Sequence, residues 1–243
     1  MPEVTQKLKN PSVLEAVCEL RFARTDSYTM IPGAMRERLA PRFPNLEILP
    51  AATLMGAVPE EIVIAPIPHH RFRSQKPDAL VQTGPRLLTV NVLPIYPGYE
   101  EFRELIVFSV DHFRAVANPQ EIVRVGLRYI NLLKSSEAGG SLSEFVNVTL
   151  GYPKLLPSPP QETGVKILFP YGDLGTLSLA IAFPARTAQG DFGTLVDLDF
   201  YLADPARFTL GEFPSWLDRA HEVIYQAFVS TVSETTLARL KGA

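Results

Sequence analysis

The chain has 243 residues, 46% of them apolar, with a formal net charge of -3 and a pI near 5.9. That length suits one large domain or two small ones, and that apolar share excludes compositional disorder. The slightly acidic balance excludes a nucleic-acid binder working through a general basic field and leaves only a local patch for that role; the single cysteine excludes an internal disulfide.

Residues 1–11 read as a polar lead-in closed by Pro11, without the apolar core of a signal peptide. No apolar run approaches the ~20 residues that span a bilayer, so the expectation is a soluble, cytoplasmic protein. Val13 to Phe22, VLEAVCELRF, alternates cleanly. Leu14, Ala16, Cys18, Leu20 and Phe22 form one side, and Val13, Glu15, Val17, Glu19 and Arg21 the other, which predicts a half-buried strand. Residues 31–41 predict a short helix, with Pro32 in its first turn and Pro41 stopping it. Residues 42–59 are punctuated by prolines and read as loop with a short strand near Leu46–Leu49. Further strands are predicted at Glu61–Ala65, at Arg71–Ser74 with Leu80–Thr83, and at Arg86–Leu93, the last entered through the turn pair Gly84-Pro85. Tyr99–Ala117 predicts a helix whose packed face is Phe102, Leu105, Ile106, Ser109, Phe113 and Val116.

Glu121–Lys134, EIVRVGLRYINLLK, is the longest uninterrupted strand-like run. Read by twos, Val123, Val125, Leu127, Tyr129, Asn131 and Leu133 share one face, while Arg124 and Arg128 stand on the other with Gly126 between them. Gly126 marks a bulge or a place where another group approaches closely. Asn131, alone on an apolar face, needs hydrogen-bond partners if buried. Beyond this strand, Gly139-Gly140 predicts a turn, and Ser141–Leu150 a short helix capped by Ser141 or Ser143. Tyr152–Pro160 reads as a proline-rich loop. Strands are predicted at Gly164–Tyr171, Thr176–Phe183 and Thr194–Leu202, separated by turns at Gly172-Asp173 and Gln189-Gly190-Asp191. Pro214–Val232 is the last long helix, and Thr231–Glu234 fits a capping box for a short terminal one.

The order is strand, helix, about three strands, helix, and then the same again. Leu20-Arg21-Phe22 matches Leu127-Arg128-Tyr129 locally. The expectation is a single α+β domain, 1–243, with a mostly antiparallel sheet and two long helices on one face. Pseudo-repeats over 12–118 and 121–232 stand beside a plain α+β domain as the two accounts of this order.

The candidate binding residues are Glu15, Glu19 and Arg21 on one strand face and Arg124 and Arg128 on another. If the two strands are neighbours, these charges meet as cross-strand pairs. One reading is a solvated face of ordinary ion pairs. The other is a charged surface that holds an anionic ligand or a protein partner, since the guanidinium fork donates two bonds at once to carboxylate or phosphate. Asp197 and Asp199, at i and i+2 on VDLDFY, form a weak candidate for a divalent cation without a clear third ligand. The four histidines, His69, His70, His112 and His221, form no metal motif, and the adjacent pair His69-His70 points to opposite sides of an extended chain. His221 reads as a partly buried, satisfied histidine, and Cys18 as inert core. No P-loop, GxGxxG or GxSxG stretch is present, so no cofactor is expected. Arg71-Phe72-Arg73 is too short to indicate nucleic acid.

NPSVLEAVCELRF (Asn10 to Phe22) and VRVGLRYINLL (Val123 to Leu133) resemble the hallmark segments of a sporadically distributed bacterial family of uncharacterised proteins of about this length, which share an R-x-G-L-R-Y-x-N strand. The match falls on Arg124, Gly126, Leu127, Arg128, Tyr129 and Asn131. The family's lead-in is similar at Asn10-Pro11, Glu15 and Arg21, and its final helix at Ala220-His221 and Phe228. The resemblance implies no established activity, so it carries over no catalytic residue. A second likeness is to triphosphate tunnel enzymes, which open on an E-x-E-x-K strand; Glu15-x-x-x-Glu19-x-Arg21 departs from it in spacing and final residue. Three functions follow as expectations. The first is a non-enzymatic binding protein using a charged sheet face or groove. The second is a divalent-metal-dependent, tunnel-type phosphohydrolase or nucleotide binder. The third is a structural oligomer, with a homodimer as its simplest form.

Overall fold

The computed structural model describes residues 8–49, 67–75, 78–134, 141–151, 153, 155–156, 160–187, 190–203, 205 and 208–242. Among these residues the chain is α+β, with five helices and a large antiparallel sheet of nine strands. The first half runs β1 (Val13–Arg24), α1 (Ile31–Leu39), β2 (Asn45–Ile48), β3 (His70–Arg73), β4 (Ala79–Gly84), β5 (Leu87–Val92) and α2 (Tyr99–Ala117). The second runs β6 (Gln120–Lys134), α3 (Leu142–Phe145), β7 (Thr163–Pro170), β8 (Thr176–Arg186), β9 (Phe192–Ala203), α4 (Phe213–Thr231) and α5 (Glu234–Lys241). The strand order is β2-β3-β4-β5-β1-β6-β9-β8-β7, so the two charge-bearing strands β1 and β6 are neighbours, as the alternation patterns require for cross-strand pairing. The predicted strand at Glu61–Ala65 and the turn at Gly139-Gly140 lie outside the described residues. No helix among the described residues is long and apolar enough to cross a membrane.

The chain divides into two compact units. One holds residues 17–126 and 202–214. Here β3, β4 and β5 form an antiparallel meander with Arg71 opposite Gln82 and Gln82 opposite Thr89. Every residue of β4 and β5 is buried. Helix α2 buries Phe102, Leu105, Ile106, Ser109, Val110, Phe113 and Ala117, and Phe113 stacks on Phe22 of β1 with ring centroids 5.6 Å apart. The expected face is therefore present but ends on Ala117 rather than Val116, which is half-buried. The hydroxyl of Ser109 is satisfied inside the helix by donating to Leu105 O at 2.7 Å.

The other unit holds residues 1–16, 127–201 and 215–243. β7 and β8 pair from Thr163↔Phe183 to Pro170↔Thr176, and β8 pairs in turn with β9. Leu127, Tyr129, Val196, Leu198, Phe200, Leu217, Ile224 and Phe228 are buried core. Trp216 anchors α4 by donating its indole N–H to Leu174 O at 2.9 Å. Two terminal signals shift from expectation. Helix α3 is one turn, not ten residues: Ser141 and Glu144 form its capping box, and Val146 then turns extended to bridge Val232. Thr231 closes α4, and the cap of α5 is Ser233, whose hydroxyl accepts from Thr236 N–H at 3.3 Å and donates to Glu144 O at 2.6 Å. A Ser that serves both neighbours outcompetes a Thr that is still needed by the preceding helix.

Candidate functional site

Within the unit that contains residues 17–126, Glu19 is the centre of a small ionic cluster. Its Oε1 accepts from Arg124 Nη1 at 2.6 Å, and its Oε2 accepts from Arg21 Nη2 at 3.1 Å. Arg21 Nε also lies 2.8 Å from Oε1, but at an angle outside hydrogen-bond geometry, so that contact is coulombic only. All three side chains are 20–27% exposed, which places the cluster at the rim of the solvent. Gly126 explains how the Arg124 guanidinium reaches its partner. A Cβ at 126 would sit 2.7 Å from Arg124 Nη1, so the fork lies over the bare backbone two residues along the same face. The close approach expected at this glycine is thus made by a side chain of its own strand. Cys18, one residue from Glu19 on the opposite face, is fully buried. Burial pushes its thiol well above the usual range, and the neighbouring Glu19 charge adds to this. It is core, not nucleophile.

The other unit has its own ionic group. Arg128 grips Asp197 with both prongs, Nε to Oδ1 at 2.8 Å and Nη2 to Oδ2 at 2.6 Å. Its guanidinium is held above its ordinary range, first by these hydrogen bonds and then by attraction to Asp197, Asp199 and Glu15, while burial works the other way. The Arg128 side chain is 45% exposed and that of Asp197 17%. Beneath it, on the apolar face, Asn131 is 3% exposed and fully partnered. Its Oδ1 accepts from Ser12 at 3.2 Å, and its Nδ2 donates to Val196 O at 3.3 Å and Tyr129 O at 3.4 Å. Tyr129 OH meets His221 Nδ1 at 3.4 Å, so that histidine is satisfied as expected.

No family model matches the chain, and no curated protein matches it.

The structure thus sorts the candidate residues into two sets: Glu19 with Arg21 and Arg124, and Glu15, Asp197 and Asp199 around Arg128. Arg124 is engaged by Glu19 within one unit, and Arg128 by Asp197 within the other. No group of three or more His, Cys, Asp or Glu among the described residues is placed to hold a metal ion. The role of Asp197 as the partner of Arg128 is the main feature that sequence reading missed. A signal existed: β6 carries bases on one face and β9 carries acids on one face, and complementary rows attract as neighbours.

A second missed cluster centres on Tyr28, in the loop before α1. Its hydroxyl donates to Thr83 O at 2.6 Å and meets His70 Nδ1 at 3.0 Å. The rings of both His69 and His70 stand against it, at 5.5 and 5.7 Å. The two histidines do not diverge: His70 pairs with Thr83, and His69 N–H also donates to Thr83 O at 2.8 Å, so two residues oppose one and the alternation is interrupted there. Burial pushes the Tyr28 phenol up to about 12. Burial, helped by the nearby His69, draws His70 below the usual imidazole range. Nothing in the loop sequence signals this cluster. Beside it, Gln82 donates to Thr89 Oγ1 at 3.3 Å and Asn91 Oδ1 at 3.2 Å and accepts from Arg71 Nε at 3.3 Å, a polar ladder across three strands.

Proposed function

We propose that this chain is a non-enzymatic binding or interaction protein of the bacterial family it resembles, and that it works through the charged face of its sheet. The observation that carries the reading is the Arg128–Asp197 pair: a two-pronged ion pair, nearly half exposed on the arginine side, with Glu15 and Asp199 acting on the same guanidinium. An exposed pair of this kind contributes only about 0–1 kcal/mol to stability. In this reading a carboxylate or phosphate of a partner, or a small anionic ligand, reaches the exposed side of the fork and competes with Asp197 there, against the repulsion of Glu15 and Asp199.

Internal duplication belongs to the same proposal. It is supported by the element order, in which each half runs lead strand, short helix, meander and 19-residue helix. It is supported also by pairing, since the last meander strand returns beside the lead strand both times, β5 beside β1 and β9 beside β6. Two long helices on one face would follow from such a repeat. The alternative, a tunnel-type phosphohydrolase, needs acids and bases enclosed in a closed barrel; among the described residues the strand order has two ends, which favours the binding reading.

The test is a pair of variants. Arg128→Glu should abolish capture of the partner or ligand while the circular dichroism spectrum is kept. Asp197→Asn, which weakens the internal claim on the fork, should strengthen capture. If Arg128→Glu only lowers the melting temperature and neither variant changes what co-purifies, the pair is structural and the reading fails.

A further inference from the structure

β7 is the last strand of the sheet, and among the described residues it pairs with β8 alone. Exposed edges are ordinarily shortened, charged or covered because their free N–H and C=O groups template pairing with another chain. This edge is eight residues long, TGVKILFP, and has one charge, Lys166. Ile167, Leu168 and Phe169 are 38%, 54% and 41% exposed, and Tyr171 just beyond is 43% exposed. The strand therefore shows apolar side chains on both faces beside a backbone edge that no other described strand covers.

The direction of the free groups follows from the turn. Tyr171 donates its N–H inward to Gly175 O at 2.8 Å. Backbone groups alternate along a strand, so 165, 167 and 169 point their N–H and C=O at β8, and 164, 166 and 168 point theirs away. Pro170, which has no N–H, falls on the outward set, where β8 loses nothing by it.

We infer that the free edge of β7 pairs antiparallel with the same edge of a second copy of this chain, with the two-fold axis at Ile167. The argument for self-pairing is complementarity. Centred on Ile167, the strand sets Ile167 against Ile167 and Val165 against Phe169, aromatic to β-branched, as cross-strand pairs prefer. Lys166 lies opposite Leu168, not opposite itself, so its aliphatic stem covers the partner's leucine. The outward groups of 164, 166 and 168, with the Pro170 carbonyl, supply about six inter-copy hydrogen bonds. A register one step back would set Lys166 on Lys166 and is disfavoured. The contact is isologous, so it closes as a dimer and leaves no further edge of the same kind. An eight-residue edge is only about 26 Å long at ~3.3 Å per residue, and buries less than the ~1,200 Å² of a standard interface. The dimer is accordingly concentration-dependent.

The test uses the full chain, whose only native cysteine is fully buried. Ile167→Cys should form an intermolecular disulfide on mild oxidation, because its sulfur meets its own copy across the axis in a non-hydrogen-bonded pair. Thr163→Cys should not, since the two copies of that position stand roughly 26 Å apart, eight residues of strand. Sedimentation velocity should show a monomer–dimer equilibrium for the wild type, and a monomer for Ile167→Lys with an unchanged melting profile. A wild type that stays monomeric at the highest concentration overturns the inference and leaves the edge to a strand of another protein. A dimer that survives Ile167→Lys, or a Thr163→Cys cross-link as efficient as that at 167, overturns it as well.

Discussion

Asn131 offers the sharpest test of the fold beneath the charged face. The amide nitrogen faces two backbone carbonyls, Val196 O and Tyr129 O, and the amide oxygen faces the Ser12 hydroxyl. Carbonyls only accept, so this orientation is the one that chemistry allows. Asn131→Asp keeps the shape and replaces the donor with a second acceptor. At neutral pH the new carboxylate is turned towards two carbonyl oxygens at a position that is 3% exposed. The two lost donor bonds account for about 1–2 kcal/mol, and the buried, repelled charge raises the total to about 3–5 kcal/mol. For a chain of this kind with a stability of ~5–15 kcal/mol, that is a large share.

The pH dependence separates this mechanism from a generic packing defect. Burial and the two carbonyls disfavour the charged form, so the introduced carboxyl has a folded pKa raised above the unfolded value of about 3.9. For a raised pKa, the stability is fully present below the unfolded pKa and is lost as pH rises through the folded one. Urea unfolding followed from pH 4 to pH 8 should show the variant converging on the wild type in acid and diverging in base. Asn131→Leu, which carries no charge, should show a pH-independent deficit of about 1–2 kcal/mol. A variant Asn131→Asp that is as stable as wild type at pH 7, or whose deficit does not depend on pH, would refute the placement of this amide among carbonyls.

Other perturbations have equally definite outcomes. Gly126→Ala should cost about 0.5–1.5 kcal/mol by pushing the Arg124 fork off Glu19, and a urea double-mutant cycle should show the cost vanish in an Arg124→Ala background. Gly193→Ala should be harsher, about 2–4 kcal/mol, because its Cβ would fall on the Leu133 carbonyl, which is backbone and cannot swing aside. Tyr28→Phe should lose about 1–2 kcal/mol from the bonds to Thr83 O and His70, read as a fall in urea midpoint. Because the folded pKa of His70 is lowered, its contribution is present above the unfolded value of about 6.5 and is lost as pH falls below it. A melting temperature that declines from pH 7 towards pH 5, with a smaller decline in His70→Asn, checks that sign.

What was legible in the sequence follows from where local pattern and tertiary environment agree. The strand at 13–22 and the helix at 99–117 bury one face each, so alternation and three-four spacing report them directly. β6 alternates only in its middle, from Leu127 to Asn131: Leu132 is buried beside Leu133, and at the start Ile122 is buried while Val123 is only half so, which alternation over the whole strand does not report. β4 and β5 are buried on both faces, so their polar residues Gln82, Thr89 and Asn91 look like surface in the sequence and are in fact a satisfied internal ladder. The candidate site was legible as charges, and as cross-strand pairing between the two lead strands, but not in its individual partners. Glu19 and Arg124 lie 105 positions apart, and Arg128 and Asp197 lie 69 apart. Nothing local to either residue encodes that choice; the sheet order does. β1 beside β6 gives Arg124 its glutamate, and β9 beside β6 gives Arg128 its aspartate. Both arginines are therefore engaged by carboxylates, as the ion-pair reading of this face expects. A ligand there must compete with an internal carboxylate. The exposure that separates Arg128, at 45%, from Arg124, at 22%, picks out the arginine where that competition is the less costly.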